Sequence, residues 1–269
     1  RRGELRANYT DRFNMISVPY LNTEYLGILV DTALVNVKEH PLAEKKLRQA
    51  INYGFDRDKM IRYLRNGIGI PGTKGIIPKG MPAINEESAY GYNYNPDISR
   101  VIISELRQSG ANLNAITLVT TADYIDLCKF VQSQLKDIGL QLEIEVVPPA
   151  VAIELRAQSR VNFFRASWIA DYPDEENYLS LFYSRNFAPN GPNYTHFSNA
   201  EFDRLFEEAY LENDRSKRNI LYRKMDSLVI EEAPIVVLYY DEVVRFVQKN
   251  ITGMTANPVN MLNLKMVDK

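Results

Sequence analysis

The spacing of apolar positions changes several times along this chain, and each change marks an element. Ahead of residue 40 there is no helical period. Instead "FNMISVPY" and "YLGILVDTALVNV" are apolar, β-branched runs of strand length, parted by the polar "LNTE", a pattern that predicts two strands. From Pro41 the period becomes helical. In "PLAEKKLRQAINYGFDRDKMIRYLRNG", Leu42, Leu47, Ala50 and Ile51 line one face, Pro41 suits a first turn, and Asp56 is placed to cap a second helix carrying Met60, Ile61 and Leu64. Residues 67 to 96 then lose all period and are crowded with Gly and Pro. A loop of this length in a compact domain is functional or draped over a surface.

Beyond it, elements alternate. Asn95 and Pro96 open a helix that Gly110 stops. "AITLVTT" is a strand, residues 123 to 138 a helix, "LQLEIEVVP" a strand of period two, "AVAIELRAQS" a short helix and "VNFFRASWI" a strand. This order predicts βαβ units with right-handed crossovers, and hence an α/β fold. Two long helices follow. "SNAEFDRLFEEAYLE" offers Ser198 and Glu201 as a capping box beside a face of Phe202, Leu205, Phe206 and Ala209. "DRSKRNILYRKMDSLVIEEAP" groups Leu221, Met225, Leu228 and Val229 and ends before Pro234. "IVVLYYDEVVRFV" reads as two strands joined at a tight Asp241–Glu242 turn, and "LNLKMV" as a last short strand.

Composition narrows the function classes. With 269 residues, 45% apolar and 25% charged, the chain suits a soluble globular protein with a proper core. A net charge of −2 and the lack of any Lys/Arg run argue against nucleic acid as a partner. No apolar stretch approaches the roughly 18 residues that span a bilayer. The opening "RRGELRANYT" has no initiator Met, leader or lipid-attachment cysteine, and reads as a mature form or a fragment. Cys128 is the only cysteine, so neither a disulfide framework nor a Cys-based metal site is expected. It shares a helical face with Tyr124, Leu127, Val131, Leu135 and Ile138, which predicts a packed thiol. His40 and His196 lack partners at metal-ligand spacing. No metal and no cofactor is expected.

The segment "FRASWIADYPDEENYL" carries the candidate chemistry. Asp171, Asp174, Glu175 and Glu176 follow the only tryptophan, Trp168, directly after a strand. Ligands of open α/β sheets gather just beyond the carboxyl ends of strands. Asp174, Glu175 and Glu176 fall where a helix containing Tyr178, Leu179 and Leu181 begins, and acids in a first turn meet the positive end of the helix dipole at about 0.3–1 kcal/mol each. Asp171 sits in the strand-to-helix turn itself. General acid–base work and calcium binding are open to it, but no His, Ser or Lys adjoins it and the calcium pattern with its central Gly is absent. Counter-charge to a bound cation is the third option.

The stretch Trp168, Ile169, Ala170, Asp171, Tyr172, Pro173, Asp174 resembles the signature of extracytoplasmic solute-binding protein family 5, the periplasmic oligopeptide-, dipeptide- and nickel-binding proteins of ABC importers. The family pattern is a Trp, two residues, then Asp-Tyr-x-Asp/Glu-Pro. This chain has Glu175 where many relatives have proline, which suits a helix start. "KKLRQAINYGFDRDKMI", "GTKGIIPKGMP", "YNYNPDISRVIISELRQSG", "FVQSQLKDIGLQLEI", "NYTHFSNAEFDRLFEEA" and "EEAPIVVLYYDEVVRFVQKNITG" are similar to further family segments, in order.

The resemblance implies a type II, cluster C-like binding-protein fold without catalysis, and a peptide as ligand. Asp171 would meet the α-ammonium group, and the strand Ala166 to Ala170, with Ser167 and Ile169, would pair its backbone with the extended peptide. Arg165 would face the ligand's carboxylate or close an ion pair within its own lobe. Trp168 would wall a side-chain pocket or serve the core, and Tyr172 belongs to the same motif. Family members are nearly twice this length and bind ligand between two lobes. Residues 28–235 would then be the second lobe, with 1–27 and 236–269 leading to the hinge and first lobe. The expected partner is a membrane permease, the protein a monomer, and its place the periplasm or cell envelope, with a lipid anchor on the N-terminal half. A nickel chelate, oligosaccharide or haem on the same scaffold, an enzyme using Asp171 with a second acid, and a sensory domain of a regulator are the alternatives.

Overall fold

The computed structural model describes residues 6–83, 90–114 and 116–269; part of the irregular loop, at 84–89, and the first residue of the strand expected from 115 lie outside them. A six-stranded mixed sheet organises the chain. Its strands are β1 (Phe13–Ile28), β2 (Ile70–Pro71), β3 (Ile116–Thr120), β4 (Leu142–Val146), β5 (Phe163–Ile169) and β6 (Ile235–Gln248), in the spatial order β2-β6-β1-β5-β3-β4. The helices of eight or more residues are α1 (Lys45–Tyr53), α2 (Arg57–Leu64), α3 (Pro96–Gln108), α4 (Ile125–Asp137), α5 (Pro149–Ala157), α6 (Ala200–Leu211) and α7 (Arg215–Glu232).

The βαβ expectation holds: β3 runs parallel to β4 and to β5, and α4 and α5 lie between them in sequence. β1 is antiparallel to both β5 and β6. The sheet separates two apolar clusters. Leu47, Ile51, Phe55, Met60, Val131 and Leu135 pack with Phe163 and Leu238 in one. Ile76, Tyr178, Phe202, Met225 and Val229 pack with Phe164 and Val237 in the other. Neighbours Phe163 and Phe164 thus enter different clusters, as strand alternation requires. Cys128 is buried, as its helical face predicts.

Several sequence expectations need correction. "FNMISVPY" and "YLGILV" are one strand, because "LNTE" supplies no turn. Leu21, Asn22, Thr23 and Glu24 are all buried, and the polar ones have partners: Thr23 Oγ1 donates to Ile76 O at 2.8 Å, Asn22 Nδ2 to Glu24 Oε1 at 3.2 Å. The remainder of the second run leaves the sheet, and Val35–Lys38 forms a helical turn. The Asp241–Glu242 turn is likewise absent. Both carboxylates are satisfied with the chain extended, Asp241 by Arg65 at 2.6 Å and Glu242 by the N–H of Gly69 at 2.7 Å, so β6 continues through them. "LNLKMV" forms no strand; beyond β6 the ordered pairing is the bridge Thr252↔Asp268. At α6 the cap is Asn199, which accepts from the N–H groups of Glu201 and Phe202 at 3.0 Å, rather than Ser198.

β1 and β6 have unlike halves. Residues 21–28 and 235–240 are buried, whereas 13–19 and 242–248 form a more exposed two-stranded ribbon. The register shifts between Pro19 and Thr23 and between Glu24 and Tyr25. Proline lacks the ladder donor, so irregularity beside Pro19 is expected. Leu21 donates instead to Pro258 O at 2.9 Å.

Candidate ligand-binding site

The site is built on β5. Ala170 N–H donates to Leu21 O, and Leu29 N–H to Asn162 O, both at 2.9 Å. Both bonds continue the register in which Asn22 faces Ile169 and Ile28 faces Phe163. Hydrogen-bonded pairs alternate along an antiparallel ladder. Phe164, Ala166 and Trp168 therefore direct their backbone groups at β1, and those of Arg165, Ser167 and Ile169 point to the opposite edge. β3 covers that edge only around Val119↔Phe164. Arg156 Nη1 lies 3.5 Å from the carbonyl of Arg165. Past this point β5 offers the N–H and C=O groups of Ser167 and Ile169 on an edge that no described strand occupies.

Asp171 follows at the strand's end, exposed, and among the described residues it makes no hydrogen bond or ion pair. The other acids of the segment are engaged. Asp174 accepts from Glu176 N–H at 3.0 Å and Tyr222 Oη at 2.8 Å, with Arg218 at 3.5 Å. Glu176 accepts from the hydroxyl of Tyr172, and burial together with this acid raises the Tyr172 pKa. Glu175 departs from the expected helix-start role. It is 1% exposed and accepts the N–H of Ala83, and burial raises its pKa despite that bond. The helix that these acids begin is a single turn, Glu176–Leu179. Trp168 packs against a core cluster while its Nε1 donates to Asn177 Oδ1 at 2.7 Å. Ile169 is 52% exposed.

Arg165 is held by Glu24, with side-chain exposures of 13% and 4%, and its guanidinium lies over the Tyr124 ring. Burial raises the Glu24 pKa against the opposing pull of Arg165 and Asn22. Asn22 Nδ2 also reaches Asp241 Oδ2 at 3.4 Å, and Asp241 is paired with Arg65, whose guanidinium lies 4.1 Å from the centre of the Tyr239 ring. Sequence reasoning missed Glu24, Asn22 and Asp241 because it assigned them to turns. Besides the Asn22–Glu24 bond, their partners lie far away in sequence, so no local signal marks them.

The motif "LRQAINYGFDRD" serves the scaffold. Arg48 donates to the carbonyls of Leu42, Ala43, Glu232 and Ala233, closing the end of α7. Arg57 donates to Val237 O at 2.7 Å and Asn52 O at 2.9 Å, and burial pushes its pKa down to about 10. Asp56 caps α2 through Lys59 N–H, as predicted.

Residues 4–190 match the model of the bacterial extracellular solute-binding proteins, family 5. The chain belongs to this family. It is 23% identical over 259 residues to the dipeptide-binding protein of Escherichia coli K12, covering 94% of this chain and 47% of that protein. It is 26% identical over 233 residues to the glutathione-binding protein GsiB of Shigella flexneri, covering 83% and 45%. Among solved structures, HbpA2 from Haemophilus parasuis superposes with a TM-score of 0.83 at 18% identity, over 97% of this chain and 50% of that one. The fold is thus that of the periplasmic binding proteins. The chain spans about half the length of the curated relatives it matches. These relatives are solute-binding proteins rather than enzymes. Among the described residues no helix is long and apolar enough to cross a membrane.

Proposed function

We propose that this chain forms one wall of the ligand cleft in the substrate-binding component of an ABC importer, and that its ligand is a peptide. The observation that carries this reading is the open backbone edge at Ser167 and Ile169, ending on the exposed carboxylate of Asp171. An extended peptide adds to such an edge as a strand, its backbone read by hydrogen bonds and its side chains left to pockets. Its α-ammonium group then reaches Asp171, and enclosure by an opposing wall makes that pairing count, since a desolvated ammonium needs a counter-charge. Residues 28–235 act as the second lobe, and the ribbon of β1 and β6 leads toward the hinge. The chain is not an enzyme, and delivery is to a membrane permease from an extracytoplasmic, lipid-anchored monomer.

Calorimetric titration of the full-length protein with short peptides tests this. Asp171→Asn is expected to weaken binding by about 2–5 kcal/mol, the usual loss for one partner of a buried charge pair. Binding equal to wild type would remove the ammonium-docking role and bring a non-peptide solute forward. Peptides recovered after long incubation should be unchanged by mass spectrometry; turnover that disappears with Asp171→Asn would establish an enzyme instead.

A further inference from the structure

His196 stands at the opposite end of the β1/β5 ladder from Asp171. That end is closed by Leu29 N–H on Asn162 O and by Val30 N–H on Thr195 O, both at 2.9 Å. Three segments meet at the imidazole. Nδ1 lies 3.6 Å from Asp31 Oδ2, just after β1. Nε2 lies 3.1 Å from Ala188 O, and 3.0 Å from Ser159 Oγ on the turn after α5. The Phe187 ring stacks on the imidazole, with centroids 4.5 Å apart and planes within 9°. The side chain is 10% exposed, and Nδ1 is closed to water and lacks a hydrogen-bond partner. His196 and Ser159 both hold left-handed backbone, at φ 49° and 54°, which residues other than glycine adopt at a cost. Glycine is the usual residue in that conformation after a helix. Serine there supplies the hydroxyl that reaches His196.

One proton does not satisfy this ring. Carried on Nε2, it is donated to Ala188 O, and the dry Nδ1 lone pair then faces the Asp31 carboxylate. Carried on Nδ1, it faces Asp31, and the Nε2 lone pair then meets the Ala188 carbonyl. The imidazolium directs an N–H at both acceptors, and the Phe187 face attracts its charge. Among the described residues, Asp31 is the carboxylate within 4 Å of the ring. Arg48 and Glu232 line the same cavity, but Arg48 is spent on backbone carbonyls and Glu232 pairs with Lys45 at 2.8 Å. Near Ser159, Arg156 lies over the Tyr194 ring and Arg160 is exposed; near Ala188, Arg185 pairs with Glu207 at 2.9 Å.

We infer that His196 is a proton-operated staple: its imidazolium ties the segment after β1 to the turn after α5 and to the loop at Ala188, and loss of the proton loosens that end of the sheet. Histidine is the side chain whose charge ordinarily changes between pH 5 and 8. The staple is therefore closed in mild acid and slack in mild alkali. Nothing in it depends on which solute occupies the β5 edge, since β5 itself, seven residues or roughly 20 Å, separates the two ends.

Hydrogen exchange of the full-length protein at pH 5.5 and 8, corrected for the intrinsic effect of pH, tests the staple by mass spectrometry of peptides covering residues 28–36, 157–163 and 185–199. In wild type, protection of these peptides should fall by about threefold or more at the higher pH. His196→Asn keeps a residue that tolerates left-handed backbone and removes the titrating ring, so its protection should not change with pH. Asp31→Asn removes the counter-charge and should at least halve the wild-type ratio; it decides the matter where His196→Asn fails to fold. A wild-type ratio near one overturns the inference. So does an unchanged ratio in either variant, which would place the proton on another group.

Discussion

The carboxylate of Asp226, within α7, accepts the backbone N–H of Ile76 at 2.8 Å. Tyr90 Oη donates to the same carboxylate at 3.1 Å, and burial pushes the Asp226 pKa up to about 7. Gly75 makes this approach possible: a Cβ there would lie 1.7 Å from Asp226 Oδ2. The loop is fastened again at Ala83, whose N–H goes to Glu175 and whose carbonyl lies 3.3 Å from Arg223 Nη1. Two buried carboxylates therefore hold an aperiodic segment in place.

The raised acid fixes the sign of a pH effect. Between its unfolded value near 3.8 and about 7, the native state binds more protons than the unfolded state. Stability therefore falls as pH rises through that window and levels off above it, by up to about 4 kcal/mol for a shift of this size. Chemical denaturation at pH 4.5, 6 and 7.5 should show the decline in wild type and a flatter profile in Asp226→Asn. Parallel profiles would show that Asp226 titrates normally.

The acids after Asp171 should separate by stability. Glu175→Ala leaves the Ala83 N–H unpaired and is expected to cost about 1–3 kcal/mol. Asp174→Asn weakens the bonds from Tyr222 and the helix start, at about 1–2 kcal/mol. Glu176→Gln should cost a few tenths. Urea melts of the three variants check the order, and equal losses would contradict the geometry.

Arg57 ties α2 to β6 through the carbonyl of Val237. Arg57→Ala leaves buried carbonyls of Val237 and Asn52 without a donor, and a loss of more than about 3 kcal/mol is expected. A thermal midpoint within a degree or two of wild type would show that water replaces the guanidinium.

Trp168 reports on the site without interference from another indole in this chain. On the proposed reading the 269-residue chain alone supplies one wall, so a docked ammonium would stay hydrated and its pairing with Asp171 would be worth about 0–1 kcal/mol. No saturable fluorescence change is expected with peptides at micromolar levels. Tight, saturable binding would show that this chain carries a complete site.

Much of the scaffold is legible in sequence where one local rule suffices. Period, capping and stop signals place α3 and α4 to within two residues, and the alternation from 116 to 169 gives the parallel strands. Failures occur where polar residues are buried with distant partners. Asn22, Glu24, Asp241 and Glu242 carry turn-like chemistry, yet each also pairs with a residue remote in the chain, and tertiary pairing overrides local preference. At the site, the position of Asp171 follows from its place after a strand, whereas the engagement of Arg165 by Glu24 required the register of β1 against β5.

The irregular register near Pro19 and Glu24 has a mechanical meaning. β1 is a shaft with a break in its coupling part-way along it: the exposed ribbon lies on one side and the buried core on the other. The coupling lies beside Leu21 and Glu24, which hold Ala170 and Arg165. A displacement of the ribbon would therefore meet β5 through the β1 ladder, bounded by the Leu21–Ala170 bond and including the Glu24–Arg165 pair, without passing through any helix.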